Sequence, residues 1–227
     1  MSGVDVALFN RILRAPSEVA RDCRDEHDVA PMAAHALLAI VLGATLFGAA
    51  VGSWHGGAQI PLAGGKLALV TVGTLAVCAP AFYAIAAVFG RPWSLRTVVS
   101  LVLVAGARFS LVLLAATPVL WLTVNLGAGY HLVKVVAALA YALAGLTALT
   151  LLLRGLGDGP GKKATMTLFI GVFLMVGGQA AWVLRPYIGD PEQSDLPVLT
   201  REREGGMAYQ VWLSVQQLGR PAPKSAP

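Results

Sequence analysis

Apolar residues run through most of this chain in five long stretches, from Met32 to Ser53, Leu67 to Gly90, Leu95 to Asn125, His131 to Gly155 and Ala164 to Ile188. Each is long enough to cross a hydrocarbon core of about 30 Å as a helix, which takes roughly 20 residues. The third is the longest and has length to spare for tilt. Short connections carry the polar and turn residues: Trp54-His55-Gly56-Gly57, Gly90-Arg91-Pro92-Trp93, Asn125 to Tyr130, and Gly155 to Lys163. The pattern predicts an all-α polytopic membrane helix bundle. It has an N-terminal tail over 1–31, a five-helix transmembrane domain over 32–188, and a C-terminal tail over 189–227.

Both tails carry helical periodicity of a weaker kind. Val4, Val6, Leu8, Phe9, Ile12 and Leu13 cluster on one side of a helix, with Arg11 and Arg14 nearby. Pro16 then interrupts the pattern, and Ser17 is expected to open a second, more charged helix as its N-cap. In the C-tail, Met207, Val211, Trp212, Val215 and Leu218 recur at helical spacing between Gln210, Ser214, Gln216 and Gln217. Each tail reads as an amphipathic helix lying at the membrane interface, or equally as one docking on a partner protein.

Charge sharpens this picture. Only 13% of residues are charged, against about a quarter in a soluble domain. No Asp or Glu occurs between Asp28 and Asp158, and a soluble fold would not leave so much surface uncharged. The net charge of +5 comes from cations at the ends of apolar runs, with no basic stripe and no interleaved aromatics, so no nucleic-acid partner is expected. With the N-terminus inside, the cytoplasmic segments carry Arg11, Arg14, Arg21, Arg24, Arg91, Arg96, Arg154, Lys162 and Lys163. The two external loops then carry Lys66 alone. Arg185, Arg201, Arg203, Arg220 and Lys224 of the C-terminal tail run against the trend, but a tail after the last span weighs less than the short loops. The balance predicts a cytoplasmic N-terminus and an external C-terminus. Helical spans rather than barrel strands place the chain in a bacterial inner membrane. Cys23 and Cys78 fall at different depths, which argues against a disulfide.

Candidate chemistry is sparse. Arg108 lies roughly twelve residues into the third span, about 18 Å along a helix, too deep to reach the membrane edge easily. Its candidate partners are helix carbonyls near a break, Gln179 of the fifth span, a lipid phosphate or an anionic ligand; intramembrane cations mark functional sites by default. Gly43, Gly48, Gly52, Gly73, Ala142, Gly145, Gly171, Gly177 and Gly178 permit close helix approach, within the chain or to a second copy. Pro80 and Pro118 are expected kinks. The fifth span closes on Gln179-Ala180-Ala181-Trp182-Val183-Leu184-Arg185-Pro186-Tyr187-Ile188-Gly189-Asp190-Pro191. There Trp182 and Tyr187 suit the interface, Pro186 stops the helix after Arg185, and Asp190 is near enough in sequence to pair with Arg185. This reads as a rigid exit corner, or as a docking surface for a partner or lipid headgroup. No nucleophile elbow, paired aspartates, phosphate-cradling loop or metal-ligand spacing is found, so no cofactor and no enzymatic activity are expected.

The arginine-rich tail with Arg14-Ala15-Pro16, Ala79-Pro80-Ala81-Phe82-Tyr83 in the second span, Phe89-Gly90 leading to Ser94-Leu95-Arg96, Ala115-Ala116-Thr117-Pro118 and the Gln179–Gly189 corner together resemble the Yip-type five-span membrane proteins. The resemblance covers most of the chain and implies a non-enzymatic membrane role. Eukaryotic members act in membrane trafficking; bacterial relatives lack that machinery, so only the membrane role carries across. The chain departs from the family in the length of its C-terminal tail. The expected role is a scaffold or accessory subunit in contact with the lipid bilayer and with a membrane-protein partner or a second copy. The alternative is a small transporter or channel-like protein for an anionic solute or lipid, built around Arg108.

Overall fold

The computed structural model describes residues 6–26, 29–91, 93–157 and 161–183, and these are helical throughout apart from short turns. Seven helices follow one another among them: α1 (Val6–Arg14), α2 (Pro16–Arg24), α3 (Val29–Gly52), α4 (Gln59–Val88), α5 (Leu95–Asn125), α6 (Tyr130–Leu156) and α7 (Lys162–Val183). The last five are long and apolar enough to cross a membrane. The chain is a multi-pass membrane protein. The C-tail helix and the end of the fifth span at Ile188 lie outside the described residues.

Two of the differences from the expected boundaries change the place of a named residue. Helix α4 starts at Gln59 rather than Leu67, so Lys66 sits inside the helix and is buried, not in an external loop. Pro61 is tolerated there because the first turn of a helix has no carbonyl for its missing N–H. Gly64 meanwhile lets α4 close on α3: a Cβ on it would lie 2.8 Å from the Thr45 carbonyl oxygen. Helix α2 starts at Pro16 with Ala15 as its cap, so Ser17 is not the N-cap. Proline fixes the helical φ in advance and loses only an N–H that the first turn leaves unpaired.

Loop contacts fix the alternation of the spans. Trp54 Nε1 donates to the Ala128 carbonyl at 3.2 Å, tying the α3–α4 and α5–α6 connections together at one end. At the other end Arg91 Nη1 donates to the Leu156 carbonyl, and Glu26, just after α2, accepts from Ser94 Oγ and from Thr97 Oγ1. The N-tail therefore shares its end with the α4–α5 and α6–α7 connections.

Helices α3 and α5 form the centre. In their most apolar stretches 50% and 56% of residues are buried, against 22% in α6 and 17% in α7, so the last two helices are peripheral. Helix α4 packs along α3, α6 along α5, and α7 along α4, where Phe82 and Phe169 stack with ring centroids 4.3 Å apart. Although joined by a short connection, α6 and α7 barely touch among the described residues. The interhelical seams use small residues: Gly43 meets the Ser110 backbone, Gly48 meets Ala63 and Gly64, and Gly52 meets Gln59. Gly73, Gly145 and Gly171, expected to serve the same way, face open space because α6, α7 and the outer side of α4 turn those positions outward.

The N-tail helices do not lie free. Ile12, Val19, Ala20 and Cys23 are fully buried, and α2 packs against α6 and α5. Their apolar sides are thus covered by the spans themselves. Arg11 and Asp22 form an ion pair at 2.5 Å that clips α1 to α2.

Candidate functional site

Of the sequence-derived candidates, Arg108 is the best defined. It is half-buried in α5, and its Nε and Nη1 are buried with no hydrogen-bond partner. Gln179, offered as its neighbour, is on an exposed face of α7, and α7 packs on α4 rather than α5. The two are not brought together. Helical side chains lean toward the N-terminus of their helix, so Arg108 leans toward the N-tail end. Trp182 belongs to the last turn of α7, and nothing is described of its side chain. Arg185, Tyr187 and Asp190 lie outside the described residues.

The tertiary structure assembles a second group of residues that the linear pattern scatters. At the N-tail end, Ser17, Arg21 and Arg24 of α2, Leu153 and Arg154 of α6, Gly157, and Lys162 of α7 line a cleft of about 420 Å³. Among the described residues that line it, four are cations and none is acidic. Arg154 Nη1 donates to Ser17 Oγ at 3.3 Å, so the hydroxyl freed from capping orients a guanidinium. Arg24 lies against the end of α6, where a Cβ on Gly157 would come 2.5 Å from its Nη1. Gly157 has φ +61°, a left-handed conformation at the helix C-terminus that glycine adopts without strain.

Neighbouring groups bridge the elements at this end. Arg91 is buried, caps the last carbonyl of α6 through Nη1, leaves Nε and Nη2 unpaired, and lies 5.3 Å from the Trp93 ring centroid. The Ser94 and Thr97 hydroxyls, followed by burial and then by Arg96, act on the Glu26 carboxyl, and the hydrogen bonds hold it below its ordinary range. Burial pushes the Cys23 thiol up to about 11, against a smaller opposing hydrogen bond from Ser100. Among the described residues no three His, Cys, Asp or Glu side chains gather as a metal site.

Every cation of the cleft was visible in the sequence, but only as part of a charge asymmetry between the two sides of the membrane. Ser17, Arg21 and Arg24 are more than 125 residues from Arg154 and Lys162, and no local signal pairs them. No family model, no curated protein and no solved structure matches this chain.

Proposed function

We propose that this protein is a non-enzymatic scaffold or accessory subunit of a membrane complex, a role consistent with the Yip-type resemblance. The observation that carries the reading is the outer face of α6. Leu132, Leu139, Leu146 and Leu153 recur every seven residues along it, all exposed. Beside them Ala138 and Ala142 are exposed, and Gly145 has nothing within 4 Å of where a Cβ would stand. Small residues flanked by leucines form the kind of face on which transmembrane helices pack closely. In α3 such residues are consumed by internal packing; in α6 they are left for a partner helix or a second copy. The cation-rich end is assigned to the cytoplasm of an inner membrane by the positive-inside rule, with the C-terminal tail external.

Extraction in native lipid discs followed by mass spectrometry tests this. A stoichiometric protein partner or second copy is expected, and it should be lost in Ala142→Leu and Gly145→Leu; at Gly145 an added Cβ has nothing within 4 Å. A partner retained at full stoichiometry in both variants would reject the α6 face. The exit corner at Trp182 and Arg185 is a further contact candidate, tested by Trp182→Ala and Arg185→Ala in the same experiment.

One observation favours a second reading, an anion pathway: the two unpaired donors of Arg108. Anion flux in proteoliposomes that Arg108→Leu abolishes would support it, and absence of flux across anion classes would remove it.

A further inference from the structure

We infer, resting on the scaffold reading, that the partner is a different protein, one of whose transmembrane helices carries an aspartate or glutamate that pairs with Arg108. This deepens that reading by naming the chemistry of the partner and by setting a second copy aside.

Arg108 stands in the middle third of α5, a helix that runs from Leu95 to Asn125. Such a helix is about 46 Å long, so a hydrocarbon core of about 30 Å centred on it puts Arg108 roughly 12 Å inside the nearer edge. That is too deep for the snorkelling open to cations near helix ends. Its Nε and Nη1 are buried with no hydrogen-bond partner. Ionised groups at such depth pair with a counter-charge or with backbone carbonyls, and the planar fork of arginine matches the two oxygens of a carboxylate. None of the five spans holds an acid: the sequence has no Asp or Glu between Asp28 and Asp158, nor from there to Asp190. A second copy brings the same spans, and with them a second Arg108 rather than a carboxylate. The counter-charge therefore belongs to another chain.

The place of Arg108 on α5 suits a helix as the source. Leu101, Arg108, Ala115 and Leu122 follow one another at heptad spacing, so they form one row that drifts about 20° per step. Leu101 is covered by α6, where a Cβ on Gly155 would come 2.7 Å from its Cδ2. Arg108 is half-buried, Ala115 is exposed, and Leu122 is 54% exposed. The row thus emerges from beneath α6 at Arg108, with a small residue just beyond it. A helix laid along this strip can approach closely over Ala115 and bring a carboxylate to the unpaired donors. On the headgroup side α2 packs on both α5 and α6, with Cys23 against Ser100 and Ser17 accepting from Arg154. A lipid phosphate would have to pass beneath that packed helix, whereas a neighbouring span carries its charge at the required depth.

The test is native-disc extraction of the full-length protein and its Arg108 variants, with mass spectrometry of what is retained. The parent should hold a different membrane protein at fixed stoichiometry, and that protein should carry an Asp or Glu inside an apolar span. Arg108→Leu should lower its retention about tenfold, the size of a strong polar contact between helices in a bilayer, while melting like the parent in detergent. Arg108→Lys, which keeps the charge, should retain part of it. Replacing the partner's acid with leucine should cause the same loss, and exchanging the charges, Arg108→Asp against a lysine in the partner, should restore the complex. A partner with no acid in its spans, or one kept in full by Arg108→Leu yet lost in Gly145→Leu, would overturn the ion pair and leave the scaffold reading standing. Discs holding only a second copy would do the same. An anionic lipid retained by the parent and lost in Arg108→Leu, with no protein beside it, would assign the guanidinium to a lipid phosphate, and discs holding nothing selectively would reject both readings.

Discussion

Gly43 of α3 lies so close to Ser110 of α5 that a Cβ on it would come 2.4 Å from the Ser110 carbonyl oxygen. The contact is backbone on backbone, at the crossing of the two most buried spans, so neither side has a flexible end that can yield. Gly43→Leu should therefore separate α3 from α5, with a cost at or above the roughly 1–3 kcal/mol typical of overpacking. Thermal unfolding in detergent reads this directly. Gly73→Leu, at a position facing open space, is the comparison and should melt like the parent.

Arg91 and Arg108 should respond in opposite ways to the same substitution. Arg91 Nη1 bonds the Leu156 carbonyl, so Arg91→Leu removes a charged hydrogen bond worth about 1.5–3 kcal/mol and uncaps α6. Arg108 Nε and Nη1 bond nothing in the protein, so Arg108→Leu should leave yield and melting temperature unchanged or higher. A collapse of assembly in Arg108→Leu would show that Arg108 holds the bundle after all.

Glu26 gives the N-tail an acid-sensitive tether. Its carboxylate accepts from Ser94 and Thr97 and is held below the ordinary range, chiefly by those bonds. A depressed carboxyl contributes stability that is complete above the unfolded value, roughly pH 4.3, and lost as pH falls through the folded one. Proteolysis between α2 and α3 should accelerate below pH 4 in the parent. In Glu26→Gln it should already be faster at pH 7 and lose that pH dependence.

Both cysteines should be silent in the folded protein. Cys23 and Cys78 are free and fully buried, and burial raises the Cys23 thiol from 9.0 to about 11. At pH 8 a maleimide should label neither until the chain is unfolded in SDS. The sign for stability follows: with the folded value raised, the contribution of Cys23 is complete below pH 9 and declines as pH rises toward about 11. Rapid labelling of Cys23 at pH 8 in mild detergent would mean that α2 detaches from α6.

Hydropathy by itself determined that there are five spans, and α5 begins at Leu95 and ends at Asn125 as its apolar run does. The reason is physical: in hydrocarbon every backbone group must bond within its own helix, so length and apolarity suffice to define a span. The start of α4 was hidden because Gln59, Pro61 and Lys66 look like a loop, and they are held helical by the close approach of α3 at Gly64. Arg108 was legible as a lone intramembrane cation; that Gln179 is no neighbour of it was not, since which spans touch is a matter of packing. The cationic cleft belongs wholly to the tertiary structure. Residues of α2 meet residues of α6 and α7 only because α1 and α2 bury Ile12, Val19 and Cys23 against the spans, and that docking is decided by side-chain fit across the whole chain.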